Sequence, residues 1–316
     1  MNERLRGSVV LAIVGVIAAA FHARWGIVLS IIEKAVSSSQ QGLPFLGVGL
    51  GYRRELHASI YAHKQSIDWL EVISEHYTQG PPERMATGCH LARDFVVIPH
   101  GVEMSIGTEG EVDSGYLNGL STFVNAIHPP WFSDHLCFTR AGGISLGTLT
   151  PLNRTRAVAR AVAAKAQRVQ ELIGVPFILE NIARQFTMNT ELSEAEFICE
   201  FLEHCDCGLL LDLTNVYINS VNYSEDALRF LDSIPSDRVV QIHLAGGKTS
   251  PHGLIDSHSS PVPGEVWELL DYLLRAGAEP KGLMIERDQD YPEDFDEILT
   301  DLNRARNILA AAMTSN

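Results

Sequence analysis

From Leu43 to the carboxyl terminus, short apolar runs alternate with longer stretches in which apolar residues recur at helical spacing, the pattern of repeated βα units feeding a parallel sheet. The predicted strands are Phe45 to Gly49, Trp69 to Ser74, Phe95 to Pro99, Trp131 to Ser133, Phe177 to Leu179, Leu209 to Leu211, Val239 to Ile242 and Leu283 to Ile285. The helices are equally legible. Thr155 to Leu172 is alanine-rich with Gly174 behind it, and Ser193 with Glu196 forms a capping box opening Ala195 to Leu202. Pro263-Gly264 precedes Glu265 to Leu274, and Phe295 to Ala312 closes the ring. Eight strands alternating with helices predict an α/β protein, a closed (β/α)8 barrel spanning residues 42–316.

Residues 1–41 break this pattern. After Arg4 and Arg6, Ser8 to Phe21 is an uncharged apolar run, shorter than the roughly 20 residues a spanning helix needs. Ala18-Ala19-Ala20 resembles a small-residue cleavage site, so a secretory signal and a membrane span are alternative readings. We read the segment as an unstructured or weakly anchored apolar extension, joined to the barrel by the polar linker Ser37 to Gln41.

Charge narrows the partners. Lys and Arg number 24 against 39 Asp and Glu, a formal charge of -15, and no basic block appears locally, which excludes the footprint that nucleic acid attracts. Five cysteines, at 89, 137, 199, 205 and 207, are too few and too scattered for a disulfide framework and fit a reducing compartment. Cys205-Asp206-Cys207 lacks the second half that a structural zinc site would need.

In such barrels the carboxyl ends of the strands build the active site. Here the predicted strands run into Glu75 and His76, His100, Asp134 and His135, Glu180 and Asn181, Asp212, His243, and Glu286, while His57 follows the first strand. One such residue, such as His243 within Gln241-Ile242-His243-Leu244, would read as a core histidine. Eight coincident ends would not, because burying Asp134, Glu180, Asp212 and Glu286 together without a counter-charge is prohibitively costly. No Lys or Arg occupies an adjacent strand end except Arg287, so divalent metal is the economical counter-charge. Mixed imidazole and carboxylate ligation suits iron, manganese or zinc, and four carboxylates call for two or three ions. Asp256 and His258, in the loop after the seventh strand, could join the same end, and Asn215 could add an amide oxygen.

Other signals are weaker. Gly143 to Gly147 matches G-x-S-x-G, but Thr148-Leu149-Thr150-Pro151 follows where a nucleophile elbow needs a helix. Gly247-Lys248-Thr249 lacks the first glycine of a phosphate loop and reads as a loop lysine, and Gly47, Gly49 and Gly51 miss the dinucleotide spacing.

An ordered set of segments covering roughly Gly42 to Ala311 resembles the multinuclear non-haem iron-dependent oxidative enzymes. The carriers are Gly47 to Arg53, Ser74-Glu75-His76-Tyr77, His100-Gly101-Val102, Ser133-Asp134-His135-Leu136, Leu179-Glu180-Asn181 and Leu211-Asp212 with Asn215-Val216-Tyr217. They continue with Gln241 to Gly246, Asp256-Ser257-His258, Pro261-Val262-Pro263 and Ile285-Glu286-Arg287-Asp288. The resemblance implies a xylose-isomerase-like TIM barrel holding two or three irons, mixed Fe(II) and Fe(III), with dioxygen as co-substrate. It also implies a ribosomally made precursor peptide as substrate, modified often at cysteine, and a small partner protein that recognises the peptide's leader. By position, His57, His100, Asp134, Glu180, Asp212, His243, Asp256, His258 and Glu286 resemble ligands, with Asn215 as another candidate and Asp288 as the candidate proton-transfer residue. Glu180 or Asp212, mid-array, is the expected bridging carboxylate. The amino-terminal extension departs from the family; the chemistry implies the cytoplasm, with membrane contact only through that extension. Two rival readings remain open at this point: a divalent-metal isomerase or endonuclease-type enzyme, and a non-catalytic metal or peptide carrier.

Overall fold

The computed structural model describes residues 42–188 and 190–315, so the apolar extension and its linker lie outside the described residues. Eight parallel strands close on themselves: β1 (Gly47–Gly51), β2 (Trp69–Ile73), β3 (Val96–His100), β4 (Phe132–His135), β7 (Phe177–Glu180), β8 (Gly208–Asp212), β9 (Val239–Ser250) and β11 (Gly282–Glu286). The β8–β9 pairing completes the ring. The first strand starts two residues later than the apolar run suggests, because pairing with β11 begins at Gly47 opposite Gly282, and Phe45 is 54% exposed.

The helices form where their caps predict. Thr155 accepts from the Val158 amide to open Arg156–Ile173, which stops at Gly174 in the left-handed region. The Ser193–Glu196 capping box opens Glu194–Glu203. Gly264–Arg275 and Asp296–Ser315 follow. Among the described residues no helix is long and apolar enough to cross a membrane.

Three strands lie beyond the barrel pattern. β5 (Cys137–Ala141) and β6 (Ile144–Pro151) form an antiparallel hairpin, and β10 (Gly253–Ser260) pairs antiparallel with the long outer half of β9. Both ribbons rise from the carboxyl end of the barrel, as continuations of β4 and β9. Gly143 to Gly147 therefore spans the hairpin turn and the start of β6 rather than a nucleophile elbow. Lys248 lies on β9, not in a loop, and pairs with Asp290 at 2.7 Å.

Alternation along each strand sets the architecture of the interior. Phe177, Leu179, Leu209, Leu211, Leu283 and Ile285 belong to the continuous core between strands and helices. Ile98, Ile178, Leu210 and Met284 are as buried but stand outside that cluster, as do Trp69 and Trp131, which cross edge to face at 6.5 Å. These residues fill the barrel. Trp69 fits because Gly49 and Gly282 have no side chain where its ring lies. Two residues further along each strand, the same inward parity reaches His100, Glu180, Asp212, Glu286 and, from Trp69, Glu71. Apolar filling thus gives way to a polar layer at the carboxyl end.

Candidate metal centre

Three overlapping groups of potential ligands converge there: His100, His135 and Glu180; Glu180, Asp212 and His243; Asp212, His258 and Glu286. Within each group the ligand atoms all lie within 4.8 Å of one another. Glu180 belongs to the first two groups and Asp212 to the last two. His100 Nε2 and His135 Nε2 stand 3.3 and 3.4 Å from Glu180 Oε2. His243 Nδ1 stands 3.6 Å from Glu180 Oε1 and 3.3 Å from Glu286 Oε2. His100, His135, Glu180, His258 and Glu286 line a cavity of about 380 Å³ together with Asn215, Asp256, Asp288 and Ser145, Gly147, Thr148 and Leu149 of β6.

Neighbouring hydrogen bonds aim these atoms. His135 Nδ1 lies 3.0 Å from the Gly101 carbonyl, which can only accept, so the Nδ1–H is spent there and the Nε2 lone pair faces Glu180. His100 Nδ1 meets the Ser133 hydroxyl at 2.8 Å. Asn181 clamps the backbone of Asp212 from both sides, its amide donating to the Asp212 carbonyl and accepting from the Asp212 N–H. Asp212 Oδ1 accepts from the Asn215 N–H, capping helix Leu213–Tyr223, and the Asn215 amide donates to the Asn181 carbonyl. A bulge in β10 places His258 at φ 46°, a left-handed conformation that turns its ring inward.

The donor set passes a test for metal. Glu180 Oε2, Asp212 Oδ2, Asn215 Oδ1, His243 Nδ1, Asp256 Oδ1 and His258 Nε2 are buried with no hydrogen-bond partner. His258 Nε2 and Asp256 Oδ1 approach to 2.6 Å without hydrogen-bond geometry, so both face a shared space rather than each other. Buried polar atoms are rarely left so, and this number in one place fits cations held among them.

Charge among the protein's own groups here is correspondingly frustrated. Burial pushes Glu180 up to about 7, although His243 acts the other way. Burial, reinforced by Glu180 and Asp256, holds Asp212 well above the carboxylate range. For His243 burial favours the neutral ring, yet Glu71 and Glu180 outweigh it and raise the imidazole well above its ordinary value. Burial also acts against ionised Glu286, but His258 and His243 hold it well below. His100 is pulled down by burial and by His135 and His243. Cations would displace the protons that Glu180, Asp212 and His243 retain.

The structure therefore brings together His100, Glu180, Asp212, Asn215, His243, Asp256, His258 and Glu286, with Asp256 and His258 on β10 rather than in a loop. Asp134 is a correction. It sits between Ser133 and His135, so strand parity turns it outward, where it accepts from the amides of His135 and Met104 and from the Tyr116 hydroxyl. His135 takes the inward place. Period two along β4 carried that signal, but reading the strand end as a pair hid it. His57 opens helix His57–Ala62, is exposed, meets the Tyr52 hydroxyl at 2.9 Å, and belongs to none of the groups.

The expected absence of a nearby cation other than Arg287 is also corrected. Arg53, two residues beyond β1, is buried against Glu286 at 2.9 Å and also contacts Asp288. Arg287 turns away to Glu297. Asp288 lies at the cavity rim, 3.2 Å from His258 Nδ1. A larger groove of about 1030 Å³ lies on the outer helices beside Tyr217, Trp267 and Tyr272, but no converging ligand group falls in it among the described residues.

Comparison with known proteins gives the family and the fold. Residues 47–310 match the family described as RiPP precursor modification enzyme MbnB/TglH/ChrH, RiPP denoting ribosomally synthesised, post-translationally modified peptides. A UPF0276 protein of Anaeromyxobacter sp. (strain Fw109-5) is 35% identical over 271 residues, 85% of this chain and 95% of that protein. Another, from Caulobacter vibrioides (strain NA1000 / CB15N), is 36% identical over 271 residues, 85% and 96% of the two chains. Among solved structures, a xylose isomerase domain containing protein from Salmonella typhimurium LT2 superposes with a TM-score of 0.56 at 13% identity, covering 85% of this chain and 99% of that one. An L-ribulose 3-epimerase gives 0.54 at 17%, covering 85% and 96%. At these identities they establish the xylose-isomerase-like barrel fold alone.

Proposed function

The chain belongs to the family of RiPP precursor modification enzymes described as MbnB/TglH/ChrH, and from that premise we propose an iron-dependent, dioxygen-using oxidase acting on a cysteine of a precursor peptide. The observation that carries this reading is the run of three ligand groups sharing Glu180 and Asp212, each with buried ligand atoms that have no hydrogen-bond partner. His100, His135 and Glu180 would hold one iron, Glu180, Asp212 and His243 a second, and Asp212, His258 and Glu286 a third, with Asp256 and Asn215 as further oxygen donors. Bound iron, mixed Fe(II) and Fe(III), would supply Lewis acidity that lowers the pKa of a substrate thiol and redox chemistry toward dioxygen.

The protein's own residues do the rest. Arg53 fixes the carboxylates of Glu286 and Asp288, so that Asp288 stands at the rim as an oriented base for a proton of the substrate. The hairpin β5–β6 forms one wall of the mouth. The outer edge of β5 is occupied, its Thr139 and Arg140 amides donating to Ser105 Oγ, whereas β6 carries no strand partner on its outer side among the described residues. An extended peptide could therefore lie along β6 and deliver its side chain past Gly147 and Leu149 into the cavity. A small leader-recognising partner would raise the local concentration of that peptide, and a chemistry of free thiols with ferrous iron would suit the reducing cytoplasm.

Metal analysis of protein purified without oxygen tests the centre: two or three irons per chain with coupled Mössbauer signals are expected. Oxygen uptake and a mass change in the peptide test the reaction. A single zinc or manganese, or an unchanged peptide with no oxygen consumed, overturns the proposal in favour of an isomerase-type or carrier role.

A further inference from the structure

Inside the barrel, three buried side chains that the chemistry above leaves unused, Trp131, Gln241 and Glu71, form a directed chain ending on the ligand His243. Trp131 Nε1 lies 2.7 Å from Gln241 Oε1, Gln241 Nε2 lies 2.5 Å from Glu71 Oε2, and His243 Nε2 lies 3.1 Å from the same oxygen. Gln241 Nε2 is also 2.8 Å from His243 Nε2. All four are between 0 and 2% exposed.

An indole can only donate, and this fixes the polarity of the whole chain. Because Trp131 donates, the Gln241 amide must present its oxygen to the indole and its NH2 to Glu71 and His243. Glu71, an acceptor, receives from Gln241 and has a second lone pair for His243. The imidazole then has two neutral arrangements. In one, Nε2–H donates to Glu71 and the Nδ1 lone pair faces Glu180 and Glu286. In the other, Nε2 accepts from Gln241 and Nδ1–H points into the ligand groups, where it would block a cation.

We infer that Glu71, held in place by the Trp131–Gln241 pair, is a positioning residue that selects the Nε2–H tautomer of His243 and so commits Nδ1 to the metal. A carboxylate behind a ligating histidine is the arrangement that orients such rings and raises their basicity. Glu71 is two residues from Trp69 on the inward parity of β2, so the barrel's apolar filling and this support arise from one strand register. The inference rests on the interior groups being a metal site, and its test separates the two.

Zn(II) serves as a diamagnetic probe. In the Zn(II)-loaded protein labelled with 15N-histidine, long-range 1H–15N spectra should show His243, assigned by its loss in His243→Asn, protonated at Nε2 and metal-bound at Nδ1. Glu71→Gln should weaken one zinc equivalent roughly 10- to 100-fold, as removal of such partners typically does, and leave the other equivalents and the melting temperature nearly unchanged. Coordination of His243 through Nε2 in the wild-type protein would overturn the inference even if the variant failed to fold. Unchanged affinities in a folded Glu71→Gln would overturn it too. Failure of the wild-type protein to bind zinc at His243 at all would overturn the metal site itself, and the inference with it.

Discussion

Buried carboxylates lie on both sides of strand β4, Asp134 outside the barrel and Glu180 and Asp212 inside, and the two sides differ instructively. Outside the barrel, Asp134 lies near Glu75, the two bridged by the Tyr116 hydroxyl at 3.2 and 2.8 Å. Glu75 Oε1 also accepts from the Val102 and Glu103 amides, and Asp134 from those of His135 and Met104. Burial and Glu75 hold Asp134 well above the carboxylate range, and backbone donors with the Tyr116 hydroxyl accommodate the pair. Inside, Glu180 and Asp212 each keep an oxygen with no donor, and the nearest atoms are imidazole nitrogens and other carboxylates. Burial of acid is common to both faces. What separates them is the company the oxygens keep: outside, backbone N–H groups and one hydroxyl meet every oxygen of the pair but Glu75 Oε2, whereas inside unpartnered oxygens and imidazole nitrogens converge within ligand distance of one another, the arrangement a cation suits.

Removing a shared ligand should produce the largest effect. Glu180→Ala takes a donor from two groups at once, so more than one equivalent of metal should be lost, and turnover should fall by well over the ~100-fold that loss of a supporting hydrogen bond costs. Metal-free stability should hold or rise, because buried like charges are relieved. Full metal retention, read by mass spectrometry, would break the distinction between the faces. Asp134→Ala should do the reverse: keep every metal equivalent and cost ~1–3 kcal/mol in denaturant unfolding, since the Met104 and His135 amides lose a buried acceptor. Loss of metal in that variant would show that the outward pair also serves the centre.

The same contrast explains what could be read beforehand. The barrel strands were visible because a doubly covered strand is built on an apolar run, as in Phe177-Ile178-Leu179 and Leu209-Leu210-Leu211, although β4 is apolar only at Trp131 and Phe132 before it turns polar. The ligand layer was visible because each run ends in a residue that a core does not tolerate. Which member of Asp134-His135 faces inward depends on strand parity, and parity could have been counted from Trp131. Arg53 was not visible, because its side chain returns to the site from beyond the strand. The ribbons β5–β6 and β9–β10 were hidden by Gly142, Gly143, Gly147 and Gly253, whose positive φ angles are turn conformations and whose presence reads as loop.

A smaller effect distinguishes the faces by pH. Glu180 is raised from its ordinary range to about 7, so in the metal-free protein its contribution to stability is complete below about pH 4.5 and lost as pH rises through about 7. Glu180→Gln, with no proton to lose, should flatten that part of the pH–stability curve measured by urea unfolding without metal. In the loaded protein the same proton is displaced, so metal binding should release protons, seen as a buffer-dependent enthalpy, and weaken as pH falls below about 7. An identical pH curve for Glu180→Gln and wild type would remove the charge frustration that sets the inner face apart.

The smallest effect is expected at His57, which the sequence groups with the ligands and the structure leaves on the surface. Its Nδ1 is engaged by the Tyr52 hydroxyl and its ring packs 4.7 Å from that of Tyr61, while His57 itself stays exposed. Nothing in this arrangement points a lone pair at the cavity. His57→Ala should therefore leave metal content unchanged and shift stability by no more than ~0.5 kcal/mol, the usual size of an exposed substitution. The loss of one metal equivalent would mean that residues 52–57 fold onto the centre when it is loaded, carrying Arg53 with them. Asp288 and Glu286 would then exchange their guanidinium for a metal, and the inner face would be completed by a ligand from outside the barrel.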